Sequence, residues 1–532
     1  MKLTLAAALV VIGSVAQAQP ASLLGTLDFP TSAGPEAQEA FEQGMLATHS
    51  FWWAEARDHF RRAKALDPDF AMAYWGEALT YHDPGPPQED MSASNAAARA
   101  VLSDLDAREA VRWTDRERAY VDAMRPLYAE RTGLGERRSA HADAMRRLAA
   151  RYPDDSEAAI LAARAQLSAG LSRPDADPTD PAFVVPIAAI LEEAFARNPD
   201  HPGAAHYLIH LYDTPTFAPL GVRPALAYAR IAPASSHALH MPSHIFRALG
   251  MWDEMAASNR DAYDASITWQ EQTDRPLSAR DSHALDWLVD AYLKTGRYAE
   301  AHRVADLLRG LLADASSRGE PLGYLPMTQI SVETRLYDAE AWAGLAPEPP
   351  GVPAGLDVGT LPPGPHLADL GLRAAAAGQD TIATTIRDLI DGFVESPAVG
   401  PFRPFLIASA HAIEAERLQA RGDTDGALAA SQMAAESIGA DVLGVERGAY
   451  RARYASRLLA QGDARAAHAH FAALAQTYPR TPAFEVGAAR AAAALGDTAT
   501  SLEHYRAFLS IWKSADADLP ILGEGRRFIE AN

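Results

Sequence analysis

Small and bulky apolar residues recur along this chain in a frame longer than any single helix or strand. In the clearest early unit, Gly44, Ala56 and Ala63 stand where two paired helices must approach closely, Phe60 fills the space between them, and Pro68 ends the unit. Trp75 and Gly76 restart the frame directly afterwards. The same order of small, bulky and turn residues returns at 296–308 and 422–434, and again where Ala467, Phe471 and Pro479 lead into Gly487. A frame of this kind predicts antiparallel helix pairs stacked side by side as an all-α solenoid, a right-handed superhelix. Each unit lacks a core of its own, so neighbours must bury one another's apolar faces. Abundant Ala, Leu, Arg and Glu, with few β-branched runs, favours the same helical outcome.

Two stretches interrupt the frame. Residues 171–183 (LSRPDADPTDPAF) carry three prolines and are expected to form a loop. Residues 346–365 are richer still in proline and glycine. They read either as a linker between repeat blocks at 19–345 and 366–532, or as one long surface loop in a continuous superhelix. The start of the chain follows different rules. Lys2, the apolar run 3–15 and the small-x-small sequence Ala16-Gln17-Ala18 describe a signal peptide over 1–18. The mature protein is therefore expected to begin near Gln19 and to be exported, to a periplasm or beyond. No later stretch approaches the roughly 20 apolar residues of a membrane span.

Composition removes several classes of function. The chain has no cysteine, which excludes disulfides, thiolate metal sites and cysteine nucleophiles. Without the signal peptide, 47 basic face 69 acidic residues, a net charge of −22. So acidic a surface repels phosphate backbones and argues against nucleic-acid binding.

The chemistry concentrates in histidine. Five of the 17 histidines fall between His206 and His244. HYLIH supplies His206 and His210, HMPSH supplies His240 and His244, and each of the first pair lies 34 residues before its counterpart in the second. Equivalent positions of two successive units therefore carry histidine, with His237 one turn before His240. Residues four apart share a helix face, about 5–6 Å between β-carbons, and packed helix axes lie about 8–10 Å apart. These rings can converge between adjacent first helices, where zinc, copper or iron would accept imidazole nitrogen. Asp213 and Asp286 are the nearby carboxylates able to complete or orient such a site. His283, His49 and His82 are further candidates. Single histidines at these packing positions are also ordinary core residues, and Pro242 is expected to break the helix between His240 and His244. HExxH, the GxSxG elbow, the phosphate loop and the dinucleotide glycine fingerprint are all missing.

Taken together, HSFWWAEA (49–56), AMAYWGEAL (71–79), HYLIH, HALHMPSHIFRALGMW (237–252) and HALDWLVDAYL (283–293) resemble a group of bacterial tetratricopeptide-repeat (TPR) proteins, many of them exported. The resemblance covers most of the mature chain, and HMPSHIF is its most specific part. It implies that His206, His210, His237, His240, His244 and His283 belong to one site, without implying a reaction. After His82 this chain reads DPGPPQED, where the group's pattern would place an aromatic soon after the proline, and a role for His82 is correspondingly weakened. Three functions follow as expectations. The first is an exported scaffold for a protein or peptide partner, with a histidine-rich metal site. The second is a metal-dependent hydrolase or oxidoreductase using the same histidines, assisted by Asp213, Asp286 or Tyr207. The third is a pure interaction scaffold. The sequence assigns no oligomeric state.

Overall fold

The computed structural model describes residues 23–532 except 83–91, 109–112, 131–132, 174–175, 346, 353–355, 357, 362–363, 396–402 and 439–446. Residues 1–18, where a signal peptide is expected, and the DPGPPQED stretch lie outside the described residues. Within them the chain is an α-solenoid of the tetratricopeptide type, helix pair after helix pair without a strand. Pairs include Pro35–His49 with Trp53–Leu66, Pro202–Tyr212 with Ala218–Ile231, and Pro482–Ala494 with Thr498–Ile511. No helix among the described residues is long and apolar enough to cross a membrane.

Local chemistry explains the turns. Gly422, Gly462 and Gly496 close a first helix at φ of +80°, +90° and +76°, a conformation that costs glycine little. The aspartate after each, Asp423, Asp463 and Asp497, then caps the second helix by accepting the N–H three residues on. The frame glycines act through space. A β-carbon on Gly44 or Gly76 would lie 2.6 or 2.3 Å from the Phe60 ring, and one on Gly487 would lie 2.4 Å from Phe471. Phe60 is fully buried and wedged between both glycines. Gly76→Ala is therefore expected to destabilise the protein by about 1–3 kcal/mol, read as a lower urea midpoint. An unchanged midpoint would show that the Phe60 ring slides aside freely.

The loop expected at 171–183 is shorter than the sequence suggests. Leu171 still ends the helix Ser156–Leu171, and Asp180 caps Pro181–Arg197, with proline at a first-turn position where no N–H is needed. In the stretch from 346 to 365, Val352, Leu356, Val358 and Leu361 pack onto the cluster around Leu367 and Ile386, and Arg373 donates to the Pro350 carbonyl. Trp75 is core, against Phe29, Phe41 and Tyr120.

The superhelix also coils back on itself. Trp52 meets Trp269, and the Trp269 indole donates to Glu55. Farther along, Trp252 donates to the Arg480 carbonyl at 2.7 Å and Trp512 to the Lys294 carbonyl at 3.1 Å. One apolar cluster joins Phe246, Trp252 and Leu308 to Phe508, Trp512 and Leu522. This coiling brings the first helix, the histidine helices and the HALDWL helix to one place.

Candidate metal centre

The helix Pro202–Tyr212 starts with proline and is capped by His201, whose Nδ1 accepts the Ala204 N–H. One turn in, His206 is fully buried. Its Nδ1 lies 2.6 Å from the His49 carbonyl. A carbonyl can only accept, so Nδ1 carries the proton and Nε2 of the neutral ring presents a lone pair. That lone pair meets His237 Nε2 at 3.0 Å. His210 stands one turn further along, with a buried Nε2 that has no partner. Ligand nitrogens of His206, His210 and His237 all lie within 4.8 Å of one another.

The next repeat carries the remaining rings. Pro242 does interrupt it. The helix Ser236–His240 stops, Met241 bridges, and Pro242–Ala248 begins, because proline offers no N–H to continue the ladder. The break still leaves His240 and His244 facing each other, Nε2 to Nε2 at 3.2 Å. His240 Nδ1 bonds Asn259 Oδ1 at 2.7 Å, and Asn259 is oriented by its own amide N–H on the Met255 carbonyl. His244 Nδ1 bonds Asp213 Oδ2 at 2.8 Å. Trp287 packs on both rings.

Burial and mutual proximity keep His206, His210, His237 and His240 uncharged. Burial first, then the neighbouring imidazoles, hold His206, His237 and His240 well below the usual imidazole range. Burial pushes His210 down to about 4. At neutral pH they are therefore in the form that binds metal.

A second group lies beneath. Glu157 is fully buried and accepts from His49 Nε2 at 2.9 Å and His201 Nε2 at 2.6 Å, while His49 Nδ1 meets the Tyr207 hydroxyl at 3.0 Å. Burial alone would raise this carboxyl, but His201 and His49 outweigh it and hold it below the usual range. The His49, Glu157 and His201 donor atoms are also close enough for an ion. Each is already engaged, however, and the His201 nitrogen that faces Glu157 must carry a proton because its other nitrogen accepts. The chemistry of this set is that of a support, holding the His49 carbonyl against His206. Phe51 closes the triad from above. It stacks on His210 and His237, meets His206 edge-on at 4.4 Å, and adopts φ +51°, a conformation uncommon outside glycine.

The structure thus brings His206, His210, His237, His240 and His244 into one row, with Asp213 at its end and His49 below. His283 approaches within 4.7 Å of the His240 ring and is exposed. Asp286 is turned to another task, accepting from Ser331 and Arg335. His82 sits apart with Trp75, Arg138 and His141 around a small cavity. The row runs between two larger cavities. One of about 300 Å³ reaches Asp213, His244 and Trp287 and is walled by Trp252, Trp342 and Phe484. The other, about 240 Å³, reaches His237 beside Phe51 and Trp269. Sequence reasoning missed Glu157, His201, Asn259, Phe51 and Trp287. Phe51 and Trp287 lie within the HSFWWAEA and HALDWLVDAYL motifs, and His201 precedes a proline at a helix start; Glu157 and Asn259 carry no such local signal.

No protein-family profile matches the chain, and no curated protein matches it in sequence. Among solved structures it is similar to yeast Tom70 (13% identity, 93% of this chain and 88% of that one, TM-score 0.30). It is similar to the APC/C hetero-tetramer Cut9–Hcn1 (13%, 79% and 83%, 0.26) and to Naa15/Naa10 bound to HypK-THB (12%, 93% and 74%, 0.20). Likeness this loose extends to neither activity nor partner.

Proposed function

We propose that this chain is an exported tetratricopeptide-repeat scaffold that holds a divalent transition ion, zinc, copper or iron, on His206, His210 and His237. One observation carries this reading: three uncharged imidazoles converge, with one lone pair aimed by the His49 carbonyl and one buried nitrogen left without a partner. An ion would satisfy both, and the aromatic cover of Phe51 would keep competing water out. Protein or peptide binding fits the extended surface of a repeat solenoid, and export rests on the character of residues 1–18.

A second reading, a metal-dependent hydrolase or oxidoreductase, is favoured by the cavity of about 300 Å³ that opens on His244 and Asp213. A small molecule held there would lie against the histidine row.

The test is elemental analysis of the purified protein after dialysis with zinc, copper(II) or iron(II). The parent is expected to retain metal, and His210→Ala and His237→Ala are each expected to lose an ion relative to it while keeping the helical circular-dichroism spectrum. A parent that retains none of the three metals sinks both readings.

A further inference from the structure

We propose that His240 and His244 form a second, open metal position, making the histidine row a dinuclear centre. This rests on reading the row as a metal site, but it draws on different atoms from the triad of His206, His210 and His237.

Hydrogen positions at the two rings follow from their outer partners. Asn259 Nδ2 donates to the Met255 carbonyl at 2.8 Å, so it is Oδ1 that faces His240 Nδ1, and that nitrogen must be the donor. His244 Nδ1 faces the Asp213 carboxylate at 2.8 Å and must donate as well. Both rings therefore carry a proton on Nδ1, and in the neutral form of either ring the lone pair lies on Nε2. The two Nε2 atoms lie 3.2 Å apart. Two lone pairs this close repel unless a proton joins them or a metal ion beside the pair binds both. Nitrogens bound to one tetrahedral ion at about 2.0–2.1 Å lie about 3.3 Å apart, so the observed gap is the edge of such a site. Outer partners of this kind, a carboxylate and an amide on the far ring nitrogens, are what fixes metal-bound imidazoles.

The position is open. Two nitrogens leave at least two places for solvent or an added ligand, and His244 itself borders the cavity of about 300 Å³. The nearest further imidazole is the exposed ring of His283. The His210 and His244 ring centroids are 6.3 Å apart, so an ion here would neighbour one on the triad. The competing cluster of His49, Glu157 and His201 offers no equivalent, since its facing atoms already pair donor with acceptor.

Zinc uptake by the full mature chain decides the matter. After equilibrium dialysis the parent should hold two ions per chain, His244→Gln one, His210→Gln one, and the double variant none. A parent that holds one ion and keeps it in His244→Gln, or a His244→Gln variant that still holds two, overturns the second position and leaves the triad standing. A single ion lost in His244→Gln but kept in His210→Gln does the reverse, retaining this pair and removing the triad. No ion at all overturns both. Should His244→Gln not fold, the parent alone still answers. At two equivalents of copper(II), neighbouring ions give a spin-coupled resonance spectrum, and two magnetically isolated signals would overturn the proposal.

Discussion

Glu157→Ala is expected to lower the stability of the folded protein by about 3–5 kcal/mol, the usual consequence of removing one partner from a buried ionic group. Both oxygens of this fully buried carboxylate are in use, one on His49 and one on His201. Without them, two imidazoles remain in the interior with no acceptor. The damage should not stop at stability. His201 caps the helix that carries His206 and His210, and the His49 carbonyl sets the His206 tautomer. Glu157 is therefore a positioning residue for the triad. Glu157→Gln, which keeps the volume but turns an amide N–H toward a histidine donor, should weaken metal binding about 10–100-fold. Urea unfolding measures the first effect, and competition with a chelator in the folded protein measures the second. A Glu157→Gln variant as stable as the parent, with undiminished affinity, would show that the buried network supports nothing above it.

Acid should undo the protein earlier than its carboxylates alone would require. Burial holds His49, His206, His237 and His240 below their ordinary range in the folded state, and His210 at about 4. In the unfolded chain each takes up a proton near about 6.5. Between these values the unfolded state binds more protons, so stability is fully present above about pH 6.5 and is lost as the pH falls toward 4. Glu157, held below its ordinary value as well, adds a loss at still lower pH, under about 4.3. The same protons compete with metal for the same lone pairs. The metal-free protein is thus expected to lose about 2 kcal/mol or more between pH 7 and 5. The loaded protein should hold its melting temperature to lower pH and then fall steeply as metal leaves. Melting profiles of both forms across this range check it, and a flat metal-free profile from 7 to 5 would contradict buried, neutral histidines.

Much of this was legible in the sequence, for a reason that lies in the repeat. A frame that returns Gly44, Ala56 and Phe60 also returns whatever else is placed in it, so the spacing from His206 to His240 and from His210 to His244 placed those rings on neighbouring helices. Legibility fails where the coil brings together distant turns. Glu157 sits on a helix with no polar motif to mark it, and it reaches His49 only because the first helix and the HYLIH helix come to lie side by side. Asn259 belongs to the second helix of its pair, a face that a search for ligands on first helices passes over. Asp286, one turn beyond His283, looked equally suited to the metal and is instead held by Arg335, because a carboxylate on that helix meets a guanidinium before it meets an imidazole.

The return of the last helices onto the middle of the chain has a mechanical consequence. An open stack of repeats behaves as a spring, each turn free to stretch and each end free to fray. Here the Trp252 and Trp512 indoles latch one turn to another more than two hundred residues away, and the spring becomes a clasp. Releasing the latch at the C-terminal end would loosen the walls of the larger cavity before any residue of the row itself had moved.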